Sequence, residues 1–324
     1  MDTLGFHLLQ AYKVNDEAEK KRLFDEYGNS VKTFVPMQAG YNLIHATTDA
    51  SLFNRYVNDV LANKAAMPAP AQQRVMLFVG AGYAEQGRVR EALKAFGPLD
   101  DFNKIMRWID QPFYHVPRET LVNIRDQLLR HDSIPAGTTP DEVLKPHMRL
   151  YNLAVVSCRM QDYTAANAYA RRMETLKTPQ PWAKAIRDLG KIVDAQVDLQ
   201  NGRAAAALQK IGATDLYPPF DILDVLRYGT SRFIWRAEAL YQAGKYQEAL
   251  GMFSTMDLVF GVSQPHLAYR LLRSAQINDA LRNYEQARLQ YSQFVALFAK
   301  ADPEFQQIVD QARRRLAELQ RATG

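Results

Sequence analysis

The chain has 324 residues, 47% of them hydrophobic, with 16 glycines and 15 prolines, which supports a folded core and excludes a disordered or collagen-like chain. The formal charge of +5, spread over a large surface, makes no case for nucleic acid, and the compact basic run Arg313-Arg314-Arg315 reads as the solvated face of a terminal helix. Cys158 is the only cysteine, so no intrachain disulfide is possible; in the apolar run NLAVVSC it reads as a small buried hydrophobe, not a nucleophile.

At the N-terminus, MDTLGFHLLQAYKVNDEAEKK lacks the basic flank and continuous apolar run of a signal peptide. No stretch approaches the ~18 uninterrupted apolar residues of a membrane span. The expected location is therefore the cytoplasm, with no direct membrane insertion. Residues 3–13 and 15–28 read as helices, the second favoured at its start by Asp16, Glu17 and Glu19 through the helix dipole. Residues 36–47 and 50–64 form a further expected hairpin, with Asp49 as N-cap before Leu52, Phe53 and Tyr56. Pro68 and Pro70 then break the chain.

The run RVMLFVGAGYAEQGRVREALKAF follows. Gly80, Tyr83, Gly87, Ala92 and Phe96 are spaced as in two amphipathic helices that meet across a turn at Gly87, small residues at the contact and aromatics filling the gaps. The segments DDFNKIMRWID and PRETLVNIRDQLLRHD are helical by apolar spacing but poor in repeat residues. Thr139-Pro140-Asp141-Glu142 is a capping box with proline at the first helical position. Pro181 opens the next helical pair, and Asp302-Pro303-Glu304 opens the last helix by the same logic.

Variants of the small-and-aromatic set recur as Tyr163, Ala166 and Ala170; Gly202, Ala207 and Ile211; Gly244, Tyr246, Ala249 and Phe253; and Tyr284, Ala287 and Tyr291. Ala207 follows Ala166 by 41 residues, Ala249 follows by another 42 and Ala287 by another 38. The 74 residues between Ala92 and Ala166 leave room for a degenerate hairpin near 117–131. One helical hairpin repeated along a chain signals a solenoid.

These five hairpins resemble tetratricopeptide repeats. The segment Leu144–Leu319, with PHMRLYNLAVVSCRMQDYTAANAYARRMETL, ALYQAGKYQEAL and YSQFVALFAKADPEFQQIVDQARRRLAEL, resembles the C-terminal repeat region of large bacterial signalling proteins. In that group the repeats follow a serine/threonine kinase or a winged-helix regulator. The departures are plain: the chain has no Gly-rich loop with HRD and DFG sets and no visible DNA-binding unit, so the resemblance passes on no effector activity. It implies an all-α, right-handed α-solenoid with a C-terminal capping helix. The expected organisation is irregular N-terminal hairpins over 1–66, a repeat-like and a degenerate hairpin over 67–139, regular repeats over 140–301 and the cap over 302–324, all one continuous solenoid. The inner face of the cap is Phe305, Ile308, Val309, Ala312 and Leu316.

Chemistry is weakly represented. GAGYAEQG after VMLFV has GxGxxxxG spacing, not GxGxxG, and the repeat accounts for Tyr83 and Ala92 as well as the glycines. The six histidines, His7, His45, His115, His131, His147 and His266, form no HExxH set. Asp100 and Asp101 are adjacent along the chain and read as helix-start residues. No nucleophile constellation is legible. The expectation is no catalytic residue, no cofactor and no metal.

In tetratricopeptide arrays the first helix of each pair lines a concave groove. Counting back from the repeat alanines places Arg74, Leu77 and Glu85 there, then Tyr151, Val155 and Arg159, then Ile192, Gln196 and Gln200. Ile234, Glu238, Tyr241 and Gln242 follow, then Tyr269, Leu272, Gln276 and Asp279. Aromatics, amides and single charges suit a peptide or protein surface. The position of the first clamp lysine of co-chaperone repeats holds Leu77, Tyr151, Ile192, Ile234 and Leu272, so carboxylate-tail clamping is not expected. The expected function is a non-catalytic interaction scaffold whose partner is a protein or peptide read around Tyr151, Gln196, Tyr241 and Tyr269. The alternatives are a structural subunit permanently docked in a larger complex, whether or not that complex is membrane-associated, and a small-molecule sensor.

Overall fold

The computed structural model describes residues 7, 10–12, 14–29, 48–66, 69–97, 109, 112–130, 140–175, 182–214, 223–259 and 266–321. Among the described residues the regular elements are all helical. They are α1 (Glu17–Asn29), α2 (Ala50–Asn63), α3 (Ala69–Glu85), α4 (Val89–Phe96), α5 (Arg118–Arg130), α6 (Pro140–Arg159) and α7 (Tyr163–Thr175). Then come α8 (Ala183–Gln200), α9 (Ala204–Gly212), α10 (Leu223–Gln242), α11 (Tyr246–Val259), α12 (Leu267–Ala280), α13 (Tyr284–Leu297) and α14 (Gln306–Arg321). Short 3-10 turns occupy Lys64–Ala66 and Pro303–Phe305. No described helix is long and apolar enough to cross a membrane.

Local signals explain several boundaries. Asp49 caps α2 as its sequence position implies, accepting from the Ser51 amide at 2.8 Å and the Leu52 amide at 3.4 Å. Burial pushes its carboxyl up, but the bonds from Ser51 and Leu52 outweigh burial and hold it below the usual aspartate range. The helix α6 begins at Pro140, where a missing amide proton costs nothing. The stretch VMLFVGAGYAE is helical throughout, within α3, so its glycines belong to helix packing and not to a strand-turn phosphate loop. A Cβ on Gly80 would lie 2.7 Å from Phe96 Cε1, and one on Gly82 would lie 1.8 Å from Phe53 Cζ. The two glycines thus let α4 and α2 approach α3 from different sides. The expected helix over 36–47, the Thr139 cap and the helix start at Pro181 lie outside the described residues.

The repeat is visible in the turns. Gly87, Gln161, Gly202, Gly244 and Arg282 all have positive φ, between 63° and 73°. Each amide donates to the carbonyl three residues back, as Gly202 does to Leu199 at 3.0 Å. The next amide donates five residues back, as Arg203 does to Asp198 at 2.8 Å. These paired bonds satisfy the last carbonyls of the first helix. The carbonyl of that next residue then accepts from the amide of the repeat alanine: Arg88 from Ala92, Asp162 from Ala166, Arg203 from Ala207, Lys245 from Ala249 and Asn283 from Ala287, all at 3.0–3.1 Å. All five alanines are fully buried. A larger side chain there would force the two helices apart.

The chain forms two compact units: Met1–Pro98 with Phe260–Gly324, and Leu99–Val259. In the second unit each helix packs on its chain neighbours, and α8 also packs on α6 and α10, so first helices of successive hairpins lie against each other. In the first unit α14 packs on α13, and Phe305, Val309, Ala312 and Leu319 are buried while Arg313, Arg314 and Glu318 stay exposed. Ile308 and Leu316 are only half-buried, and the inner face extends one turn further, to Leu319.

The first unit also joins hairpins far apart in sequence. The fully buried carboxylate of Glu85, at the end of α3, accepts from the amides of His266, Leu267 and Ala268 at 2.7, 3.1 and 3.3 Å. It therefore caps the N-terminus of α12. Asp302 returns the arrangement: its carboxylate accepts from the Arg90 amide at 2.9 Å in the first turn of α4, and its own amide donates to the Gly87 carbonyl at 2.9 Å. Arg90 also pairs with Glu304. A contact between hairpins so distant lies outside the nearest-neighbour pattern of an open repeat array.

Two stability outcomes are expected in thermal or denaturant unfolding. No atom lies within 4 Å of a Cβ built on Gly202, so Gly202→Ala isolates the backbone effect and should cost about 1 kcal/mol, while Gln161→Gly should gain a similar amount. Equal stability of all three proteins would remove the left-handed turn as a constraint. Glu85→Ala strands three amide groups and should cost about 2–4 kcal/mol, with faster hydrogen exchange at Leu267 and Ala268.

Candidate interaction surface

The five turns give a common register for the first helices. The position two residues before the left-handed turn holds Glu85, Arg159, Gln200, Gln242 and Ala280. One place in the hairpin thus carries different tasks. Glu85 is the buried cap of α12 described above. Arg159 is half-buried and donates to the carbonyls of Pro112 and Tyr114, holding that loop against the end of α6. Gln200 and Gln242 are exposed.

Burial divides the residues expected in the groove. Tyr151, Gln196, Glu238, Tyr269 and Glu85 are all buried, with at most 2% of their surface exposed. The expectation that these side chains face a partner is corrected here: they offer no surface to one. The reason is that neighbouring elements cover the central turns of the first helices at these positions. Residues 150–158 of α6 and 195–199 of α8 are buried without a break. The clamp-lysine positions follow suit, with Tyr151, Ile192, Ile234 and Leu272 buried and Leu77 half-buried. The side chain of Arg74 lies outside the described residues. Gln276 and Asp279 are half-buried and already engaged, Gln276 accepting from Arg273 at 2.7 Å and Asp279 from Arg315 at 2.6 and 2.8 Å.

Of the expected groove residues in the second unit, Gln200, Tyr241 and Gln242 stay accessible, at the edge formed by the turns. Gln200 accepts from the Tyr163 hydroxyl at 3.0 Å. The half-buried ring of Tyr241 lies 6.1 Å from that of Tyr246, and Gln242 donates to Glu238 at 3.0 Å. Tyr163 and Tyr246 are the first residues of α7 and α11. They read in the sequence only as packing residues. The signal that would have placed them at an edge is their position two residues after the left-handed turn residue.

Beside this edge, α7, α8 and α9 enclose a cleft of about 200 Å³. Asp198 forms its floor, paired with Arg203 at 2.8 Å and Lys210 at 2.8 Å. Burial alone would raise the Asp198 carboxyl, but the bonds from Lys210 and Arg203 outweigh it and hold the group below the usual aspartate range. Asp194, one turn earlier on α8, is shifted the other way. Burial raises it, and the nearby Glu174 and Asp198 add to that, against the partial relief of Lys210 and Arg171.

No family model, curated protein or solved structure matches this chain.

The opposite shifts give opposite pH behaviour. The depressed Asp198 contributes stability above its unfolded value near 3.8, and that contribution is lost as pH falls. The raised Asp194 opposes folding once ionised, so its unfavourable contribution grows as pH rises above 3.8. At pH 7, Asp198→Asn should cost about 1–3 kcal/mol, and the deficit should shrink toward pH 3. Asp194→Asn should be neutral or stabilising at pH 7. Urea titrations of both variants at the two pH values check this; equal penalties would contradict the assigned pairing.

Proposed function

We propose that the chain is a non-catalytic, tetratricopeptide-like α-solenoid scaffold that binds a protein partner. The observation that carries this reading is the five-fold recurrence of one hairpin turn, each with the same bonds and the same buried alanine. Repetition of a packing unit holds side chains at fixed spacing, so little ordering entropy is lost when they meet a partner. The enclosed centres of the first helices favour a partner that meets the turn edge over a peptide threaded along the helices. Tyr163, Gln200, Tyr241, Gln242 and Tyr246 are the proposed contacts. Amphipathic aromatics beside amides supply contact area and adaptable hydrogen bonds.

A photo-reactive residue placed in living cells at Gln200 or Gln242 tests the reading, with Gln209 and Gln247 on the exposed faces of α9 and α11 as controls. Discrete protein adducts are expected from the first pair, reduced about tenfold or more by Tyr163→Ala with Tyr241→Ala. Adducts confined to the control positions would move the interface to the second helices. No adduct at any position would remove the scaffold reading.

A further inference from the structure

The cleft between α7, α8 and α9 combines a closed floor with open walls. Asn167 and Arg171 stand one helical turn apart on α7, and Asp194 and Asp198 stand one turn apart on α8, so two facing pairs converge on the same space. Asp198 is satisfied by Arg203 and Lys210. The side chains of Asn167, Arg171 and Asp194 make no hydrogen bond or ion pair among the described residues. A donor, a mixed amide and an acceptor therefore line one cleft with their polar capacity unspent, beside the turn edge.

We infer that this cleft receives a lysine or arginine side chain of the protein partner, its cation on the Asp194 carboxylate and an adjacent main-chain carbonyl on Arg171 or Asn167. The inference rests on the scaffold reading and names the chemistry recognised. The choice of a cation follows from the unequal burial of Asp194 and Arg171, the two charges of the lining that no ion contacts among the described residues. The two cations on the floor side are held by Asp198, leaving Asp194 half-buried with no contacting ion among the described residues. The lining sets Arg171, Arg203 and Lys210 against Asp194 and Asp198, but Arg171 is exposed while Asp194 is half-buried, so it is the carboxylate that lacks solvation, and an incoming cation restores the interaction that burial withholds. Arg171 is exposed and acts on Asp194 only through space. Its donors are unused among the described residues and can reach a carbonyl. A cleft of about 200 Å³ admits a side-chain head group, not a folded element.

The groups that face Asp194 are Arg171 and Glu174 from α7, Asp198 on its own helix and Lys210 from α9. Burial holds the Asp194 carboxyl above the usual range, so protonation as pH falls removes the acceptor and weakens cation binding sooner than for an ordinary aspartate.

The test uses the full chain at pH 7 and three probes: N-acetyl-arginine methylamide, its norleucine analogue and its glutamate analogue. Side-chain NMR follows the Asp194 carboxyl carbon and the Arg171 Nε. The arginine probe should shift both signals saturably, at roughly millimolar concentration, and the other two should not. Asp194→Asn should weaken the response by about tenfold, and Arg171→Ala by about threefold, with neither variant unfolding at a lower temperature than the parent chain. An absent response to the arginine probe, an equal response to the norleucine probe, or an undiminished response in Asp194→Asn would each overturn the assignment. A positive titration stands even if in-cell cross-linking finds no partner, so the two readings fail separately.

Discussion

The hairpin turn is the constraint on which this protein depends. Two antiparallel helices joined by a three-residue link can close only if one residue turns left-handed, and five such turns are present, at Gly87, Gln161, Gly202, Gly244 and Arg282. The turn also sets the register of everything after it. The residue that follows supplies the carbonyl for the first helical bond, and that bond ends on the amide of the buried alanine. Turn geometry and helix–helix separation are thus set together, over a span of six residues. Three of the five turns use glycine, for which the conformation is cheap; Gln161 and Arg282 hold it at a steric cost that surrounding packing must offset.

The first unit shows how a repeat element acquires a second role. In the common register Glu85 is equivalent to Gln200 and Gln242, which are exposed. Glu85 is instead buried under the start of α12, where three amides converge on its carboxylate. The positive end of a helix and three charge-assisted bonds compensate a buried charge that would otherwise be prohibitive. Asp302 makes the reciprocal contact to α4. Gly87 is needed twice over here, since a Cβ would lie 2.6 Å from Phe298 Cε1 and the backbone is already left-handed. Segments separated by the whole second unit in sequence are therefore held in one body by two carboxylates and a glycine.

The same economy of polar groups shapes the second unit. Asp194 and Asp198 share one helix face, yet Arg203 in the turn and Lys210 on α9 pair only with the second. That difference, more than the presence of aromatics, distinguishes the α7–α9 cleft from the rest of the surface. The mid-helix tyrosines follow the opposite rule: Tyr151 and Tyr269 contribute large buried surfaces and act as core.

Much of the fold was legible in the sequence because its signals are local. The spacing of Ala92, Ala166, Ala207, Ala249 and Ala287 reports a contact that each hairpin makes within itself, and Gly87, Gly202 and Gly244 report a backbone conformation. Asp49 and Pro140 mark helix starts by hydrogen bonds or their absence within one turn of chain. The candidate surface was less legible. Counting along the first helices identified Gln200, Tyr241 and Gln242 at the edge, but the same count put Glu85, Tyr151, Gln196, Glu238 and Tyr269 on a face that tertiary packing encloses. Periodicity states which residues share a face of a helix; it does not state whether another element covers that face. The cap of α12 by Glu85, the α4 contact of Asp302 and the unequal pairing of Asp194 and Asp198 arise between residues on different helices. Only the tertiary structure decides them, because each depends on where a distant donor or cation comes to rest.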